Sequence, residues 1–232
     1  MKHYSIAIDG PAASGKSTAA KLIAKKLNFL YVDTGAMYRA VTLLMLERNL
    51  DPKSREDAKS ILPECNIVED REGHVFLNGK DVTSRVRMTD VSNNVSYACA
   101  HLEVREKLVQ LQQEMATKEN VIMDGRDIGT IVLKDATLKI FQNASPYARA
   151  VRRQKENVVK GISTSSVEEI QKEIEARDYI DSHRENSPLR KAEDAIELDT
   201  SDLTIEEEVD AILEYFRKRI GEEEWKLLVQ SL

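Results

Sequence analysis

The chain has 232 residues, 41% hydrophobic and 32% charged, with a formal net charge of −6. This is the composition of an ordinary globular protein, and its acidic balance argues against a general nucleic-acid binder, which carries a basic footprint. No run approaches the roughly 20 apolar residues needed to cross a bilayer, and residues 1–4 lead directly into the first strand without room for a signal peptide, so a cytoplasmic protein with no membrane partner is expected.

In chain order, the first element is a short apolar strand at residues 5–8. It runs into Gly10-Pro11-Ala12-Ala13-Ser14-Gly15-Lys16-Ser17-Thr18, which fills the fixed places of G-x-x-x-x-G-K-[S/T] with Gly10, Gly15, Lys16 and Ser17. The glycines let successive N–H groups turn inward toward an anion. Lys16 brings charge to the β- and γ-phosphates, and the Ser17 hydroxyl can coordinate Mg²⁺. A helix over 15–27, with Ala19, Leu22, Ile23 and Leu27 on one face, adds the positive end of its dipole. The chain is therefore expected to bind ATP with Mg²⁺ as cofactor through residues 10–18.

A second strand at 30–32 is followed by Asp33-Thr34-Gly35-Ala36-Met37-Tyr38-Arg39 and a helix over 36–48. The carboxyl end of a strand in an open parallel sheet is where ligands bind, and Thr34 is read as the helix cap with Arg39 one turn inside. A capped helix bearing a solvated arginine explains the same residues. Residues ~51–92 break the rhythm: short strands at 65–69, 75–77 and 81–82, with Asn78-Gly79 as a hairpin turn, predict an inserted α+β subdomain, drawn at about 51–98. Ser96 and Arg105, the latter on a helix over 101–117, say little alone and read equally as surface polar residues.

A third strand at 121–123 leads into Asp124-Gly125-Arg126-Asp127-Ile128-Gly129. Asp124 stands where a second carboxylate of phosphate-loop enzymes orders the Mg²⁺ water shell, and a plain Asp-Gly turn is the rival. Strands at 138–141 and 195–198 and helices over 146–160, 167–182 and 204–219 complete the alternation. The last helix opens with the capping box Thr204-Ile205-Glu206-Glu207, and residues 221–225 begin a short extra helix or fray. Residues 160–166 form a polar break where a flap could hinge, with Arg149, Arg152 and Arg153 on the preceding helix; the lid is drawn at about 149–166. On the next helix Arg177, Asp181 and Arg184 share a face at i, i+4, i+7, as an anion-binding face would, or a surface salt-bridge ladder.

Alternating strands and helices predict an α/β fold: a phosphate-loop kinase core of five parallel strands flanked by helices, in one domain, with the insert and the lid. Cys65 and Cys99 are far apart and read as reduced thiols, and His3, His74, His101 and His183 have no second ligand at metal spacing. No sustained heptad appears, so a monomer is expected.

The combination resembles bacterial cytidylate kinases, nucleoside monophosphate kinases that use ATP to phosphorylate CMP and dCMP. The segments that carry the resemblance are residues 8–18, 33–40, 77–87, 91–96, 104–106, 124–130, 140–145, 177–189 and 198–201, in the family's order over nearly the whole chain. It implies that Thr34, Arg39, Arg126 and Arg184 line the CMP site, with Asp124 beside them, and that the arginines grip the CMP phosphate. It implies that Arg177 and Asp181 hold the ribose hydroxyls and that Ser96 and Arg105 read the cytosine edge. Lys16, Arg126, Arg184, Arg152 and Arg153 would act on the transferring phosphoryl group, and Ser17 and Asp124, the latter through water, on Mg²⁺. A kinase for UMP, AMP or shikimate shares this core physics. A nucleotide-dependent binding switch would not need a second phosphate pocket, and a GTPase would need an Asn-Lys-x-Asp segment that the chain lacks.

Overall fold

The computed structural model describes residues 3–161 and 164–230. Of the polar break expected to hinge a flap, Ile162 and Ser163 lie outside the described residues.

The elements follow in the order β1 (Ser5–Asp9), α1 (Lys16–Leu27), β2 (Leu30–Asp33), α2 (Thr34–Glu47), α3 (Arg55–Ile61), β3 (Ile67–Glu69), β4 (Val75–Leu77), β5 (Lys80–Asp81), α4 (Thr89–Ala98), α5 (Leu102–Lys118), β6 (Val121–Gly125), β7 (Leu138–Asn143), α6 (Pro146–Lys160), α7 (Val167–His183), β8 (Ile196–Asp199), α8 (Ile205–Ile220) and α9 (Glu222–Gln230). Five strands form one parallel sheet in the order β2-β6-β1-β7-β8. β1 and β6 read as unbroken apolar runs because both of their faces are covered, as a parallel sheet between helix layers requires.

The period-2 alternation of the strands divides the core. Ile6, Ile8, Ile122 and Ile140 face α1 and α8, where they meet Ile23, Leu27, Ile212 and Phe216. Ala7, Val32, Val121 and Met123 face the other way, toward α2, α5 and the insert. Trp225 of α9 packs edge-on against Phe216, with ring centroids 6.4 Å apart. The C-terminal tail thus continues as a helix.

The insert holds α3, the antiparallel sheet β3-β4-β5 and α4. Leu77 pairs with Lys80, and Asn78 and Gly79 take φ of 52° and 80°. These are the values a two-residue type I′ turn needs, which is why an Asn-Gly pair stands there. The insert shares its core with the main body: Ala58, Val75, Leu77, Val91 and Val95 join Met37, Val41 and Leu44 of α2 in one cluster.

At the amino end of α2 the cap is Asp33, whose side chain accepts from the Ala36 N–H at 2.9 Å. Thr34 is not the cap, and the helix starts two residues earlier than the sequence pattern predicts. Its hydroxyl instead donates to the Asp124 carbonyl at 2.7 Å, tying β2 to β6.

Candidate active site

The site lies at the carboxyl edge of the sheet, where the chain leaves β1, β2 and β6. Gly10 has φ 151° and Gly15 φ 99°, conformations that only glycine takes without strain. Between them the loop curls around Lys16. Its ammonium donates to the Pro11 carbonyl at 2.6 Å and the Ser14 hydroxyl at 3.0 Å. The loop is also braced from α6 and α7. The Ala12 N–H donates to Asp178 at 3.0 Å, Arg149 donates to the Ala12 carbonyl at 3.0 Å, and Arg149 and Asp178 pair at 2.5 Å. Asp178 is a site residue that the sequence pattern did not single out. It stands one position off the 177–181–184 face, so only the three-dimensional path of the loop reveals it.

Lys16 is buried, and burial together with the charge of Arg126 pulls its ammonium down to about 7, against the opposing pull of Asp124, Asp9 and Asp178. An anionic triphosphate in the loop would restore the charged form. In the free protein Lys16 is largely neutral above pH ~7, so binding must bring a proton with it there and little below. The expected result is uptake of up to about one proton per ATP at pH ~8, shrinking toward pH ~6. Calorimetry in buffers of different ionisation enthalpy measures it. Lys16→Met should abolish that uptake, and heats indifferent to buffer in the wild type would refute it.

Beside the loop, the Ser17 hydroxyl donates to Asp124 at 2.8 Å, and the Tyr31 phenol donates to the other Asp124 oxygen at 2.7 Å. Burial and the nearby charge of Asp33 push the Asp124 carboxyl up. A hard cation between carboxylate, hydroxyl and phosphate oxygens would relieve that cost. Among the described residues no group of three or more His, Cys, Asp or Glu could cage a metal. Mg²⁺ needs only one or two protein ligands beside phosphate oxygens and waters, which Ser17 and Asp124 could supply.

Across from the loop the arginines converge. Arg126 donates through Nε to Asp181 at 2.8 Å, and the Arg177 Nε lies 3.9 Å from the same oxygen. Burial holds Arg39 below its usual range and brings Arg177 down to about 10. Asp33 and Asp181 respectively oppose this, while the positive charges of Arg126 and Arg153 add to the lowering at both. The Nε atoms of Arg39, Arg153 and Arg177 are buried with no hydrogen-bond partner. Cationic neighbours that lower Arg39 and Arg177, together with buried Nε donors that make no hydrogen bond, make this cluster suited to an anion.

Arg153, but not Arg152, belongs to this group. Arg152 turns the other way and donates to the Thr200 carbonyl and, at 3.2 Å, to its hydroxyl. Arg152, expected at the transferring group, is thus held by Thr200 and does not join these four arginines. Arg39 and Arg177 sit within α2 and α7 and are half-buried, so the solvated-arginine and surface-ladder readings fall away.

Asp181 joins this pocket to a second one. Its Oδ1 accepts from Ser96 of α4 at 3.2 Å. Behind Ser96, Arg105 donates to the Cys99 carbonyl at 3.0 Å, pairs with Asp127, and lies 5.1 Å over the Tyr38 ring. Arg184 donates to the Ser187 carbonyl at 2.8 and 2.6 Å, and its Nη2 lies 3.9 Å from Asp127. Arg105, Asp127 and Asp181 are almost fully buried. Nothing in the sequence marks Asp127 as a partner of Arg105. On the insert, Glu69 accepts from the Asp33 N–H at 2.9 Å and Arg87 pairs with Asp33 at 2.8 Å. These two unpredicted contacts fasten the insert to the end of β2.

A family model described as cytidylate kinase matches residues 6–218. The chain is 53% identical over 216 residues to the cytidylate kinase of Bacillus cytotoxicus, covering 91% of this chain and 95% of that protein. It is 50% identical over 218 residues to the cytidylate kinase of Clostridium botulinum, covering 94% of this chain and all of that one. Among solved structures, a gluconokinase from Sinorhizobium meliloti 1021 superposes with a TM-score of 0.51 at 12% identity, covering 97% of this chain and 98% of that one. An uncharacterized protein from Eubacterium ventriosum gives 0.52 at 13%, covering 94% and 99%. At those identities the superpositions speak for the fold alone.

Proposed function

The chain belongs to the cytidylate kinase family, and we propose that its phosphate loop and its arginine pocket are the donor and acceptor sites of that family's reaction. The reaction is transfer of the γ-phosphate of ATP to CMP or dCMP, giving ADP and CDP or dCDP. The observation that carries the site assignment is the convergence of Arg39, Arg126, Arg153 and Arg177, three of whose buried Nε donors make no hydrogen bond, opposite Lys16.

The acceptor phosphate is itself the nucleophile, so no side chain needs to remove a proton. The transferring group spreads charge over its equatorial oxygens, and the work of the protein is positioning and cationic stabilisation. Residues 10–18 hold the triphosphate through their N–H groups, and Lys16 meets its outer phosphates. Arg39, Arg126 and Arg177 hold the CMP phosphate in line, with Arg153 brought by α6. Ser17 and, through water, Asp124 would hold Mg²⁺, which when bound would neutralise charge on the phosphate oxygens. Asp181 faces the ribose.

Ser96, Arg105, Asp127 and Arg184 form the base end. Cytosine presents an amino donor where uracil presents an acceptor, and the Asp127 carboxylate beside the Arg105 fork suits cytosine. The protein is read as a cytoplasmic monomer without nucleic-acid or membrane partners, on the strength of its acidic charge and its two buried free cysteines.

An ADP-release assay across CMP, dCMP, UMP, AMP and GMP tests this reading. CMP and dCMP should turn over fastest, and UMP should trail by at least about tenfold, since a buried group left unpaired costs about 1–3 kcal/mol. ATP hydrolysis indifferent to every monophosphate would remove the acceptor-site assignment.

A further inference from the structure

Glu208 is a buried carboxylate that the reaction just described does not use. It lies in the first turn of α8, but it does not cap that helix: Glu207 closes the capping box with Thr204, at 2.9 Å from its N–H. Glu208 turns inward and is 2% exposed. Burial pushes its carboxyl up to about 7, against the pull of Arg152, of the neighbouring Gln142 amide and of Lys16, and its Oε1 makes no hydrogen bond. A carboxyl in such a place costs stability unless its neighbours repay it, so what it touches matters.

It touches the floor of the phosphate loop. A Cβ built on Gly15 would stand 3.2 Å from both Glu208 oxygens and 3.0 Å from the Gln142 amide nitrogen. That amide donates to the Ser14 carbonyl at 2.5 Å, and the Thr200 hydroxyl reaches the same carbonyl at 3.2 Å. Thr200 in turn is held by Arg152 of α6. The Ser14–Gly15 peptide therefore rests on two supports, Gln142 backed by Glu208 and Thr200 backed by Arg152.

We propose that Glu208 is a positioning residue for the donor phosphates: its carboxyl, lodged against Gly15 and Gln142, sets the height of the Ser14–Gly15 peptide and links the phosphate loop to helix α8. The inference rests on the assignment of that loop to ATP. Reach matters more than charge in this role, because the groups beside the carboxyl are the Gly15 backbone and the Gln142 amide.

Two variants that keep most of the side chain separate these. Glu208→Asp withdraws the carboxyl by one methylene and keeps the charge. Glu208→Gln keeps the reach and removes the charge. Steady-state KM for ATP and for CMP, with kcat, should be measured for both at saturating partner substrate, with melting temperature beside them. Glu208→Asp should raise KM for ATP about tenfold, the scale expected when a loop shifts by a fraction of an ångström, with KM for CMP unchanged. Glu208→Gln should stay within about twofold of the wild type for ATP, the range that separates a retained contact from a lost one. If Glu208→Gln is the damaged variant and Glu208→Asp is not, or if both KM values move together, or if neither variant moves KM for ATP, the proposal is overturned. Wild-type turnover that requires CMP keeps the donor-loop assignment standing whatever these variants do; its absence would remove that assignment first.

Discussion

Arg126→Ala should lower turnover by about 10²- to 10³-fold, the usual consequence of removing one buried charge aimed at a developing anion. Arg126 follows the last residue of β6, so a rigid strand holds it, and Asp181 fixes its Nε. The fork is buried among Arg39, Arg177 and Asp181, where charge is screened less than in water. Its loss also uncovers the Asp181 carboxylate beside the acceptor phosphate and adds repulsion to the missing attraction. ATP affinity should hold or rise slightly. The positive charge of Arg126 is the largest influence after burial that pulls the Lys16 ammonium down, so Lys16 is more fully charged without it. Arg126→Lys should recover only part of the rate, since an ammonium restores charge without the bidentate fork. Single-turnover rates with calorimetric ATP affinities measure both halves. Lost ATP binding with retained turnover would place Arg126 on the donor side and remove it from the acceptor pocket.

The residues of this pocket were legible in the sequence to different degrees, for physical reasons. The phosphate loop is a local object: a strand, two glycines with positive φ, a lysine and a helix, all within 23 residues. The strands were legible because a two-sided parallel sheet leaves apolar runs. Arg39 and Arg126 could be picked out only as arginines following strands and Arg177 only as part of a late helix face, and their convergence is a product of the tertiary fold. Asp127, Asp178, Glu69 and Glu208 went unnoticed because a carboxylate's partner is set by tertiary contacts.

Two of the buried polar residues did leave a trace. Glu208 sits in register with Val209, Ile212 and Phe216 on the inward face of α8, and Arg105 sits with Val104 and Leu108 on that of α5. A charged residue on the apolar side of an amphipathic helix is the sign to look for. Arg152 shows the opposite limit. Its neighbour Arg153 shares its helix, its charge and its resemblance-based role, yet one residue's rotation, about 100°, gives the two different partners: Thr200 for Arg152, the arginine cluster for Arg153.

Gly10→Ala should be the most damaging single-methyl change in the chain, and its damage should fall on the fold as well as the site. The added Cβ would stand 1.9 Å from the carbonyl oxygen of Gln142 and 3.0 Å from its carbonyl carbon. Both are backbone atoms of β7, which is hydrogen-bonded on one side to β1 and on the other to β8, so neither can swing away as a side chain would. The backbone at Gly10 also has φ 151°, which costs an alanine about 1–3 kcal/mol before any contact is counted. Overpacking against a fixed strand adds about 1–3 kcal/mol more. Relief requires the loop to lift from β7, and lifting it separates Ser14 from the Gln142 amide that supports it. A melting temperature lowered by about 10 °C or more is the expected reading, at several degrees per kcal/mol for a chain of this size. Loss of measurable ATP binding should accompany it in whatever fraction stays folded. Ser14→Ala should separate the two effects, since it removes only a hydroxyl that bonds Lys16 and the Pro11 carbonyl and leaves the glycine untouched. Gly10→Ala with wild-type melting and wild-type ATP affinity would mean that β7 yields where its two-sided pairing says it cannot.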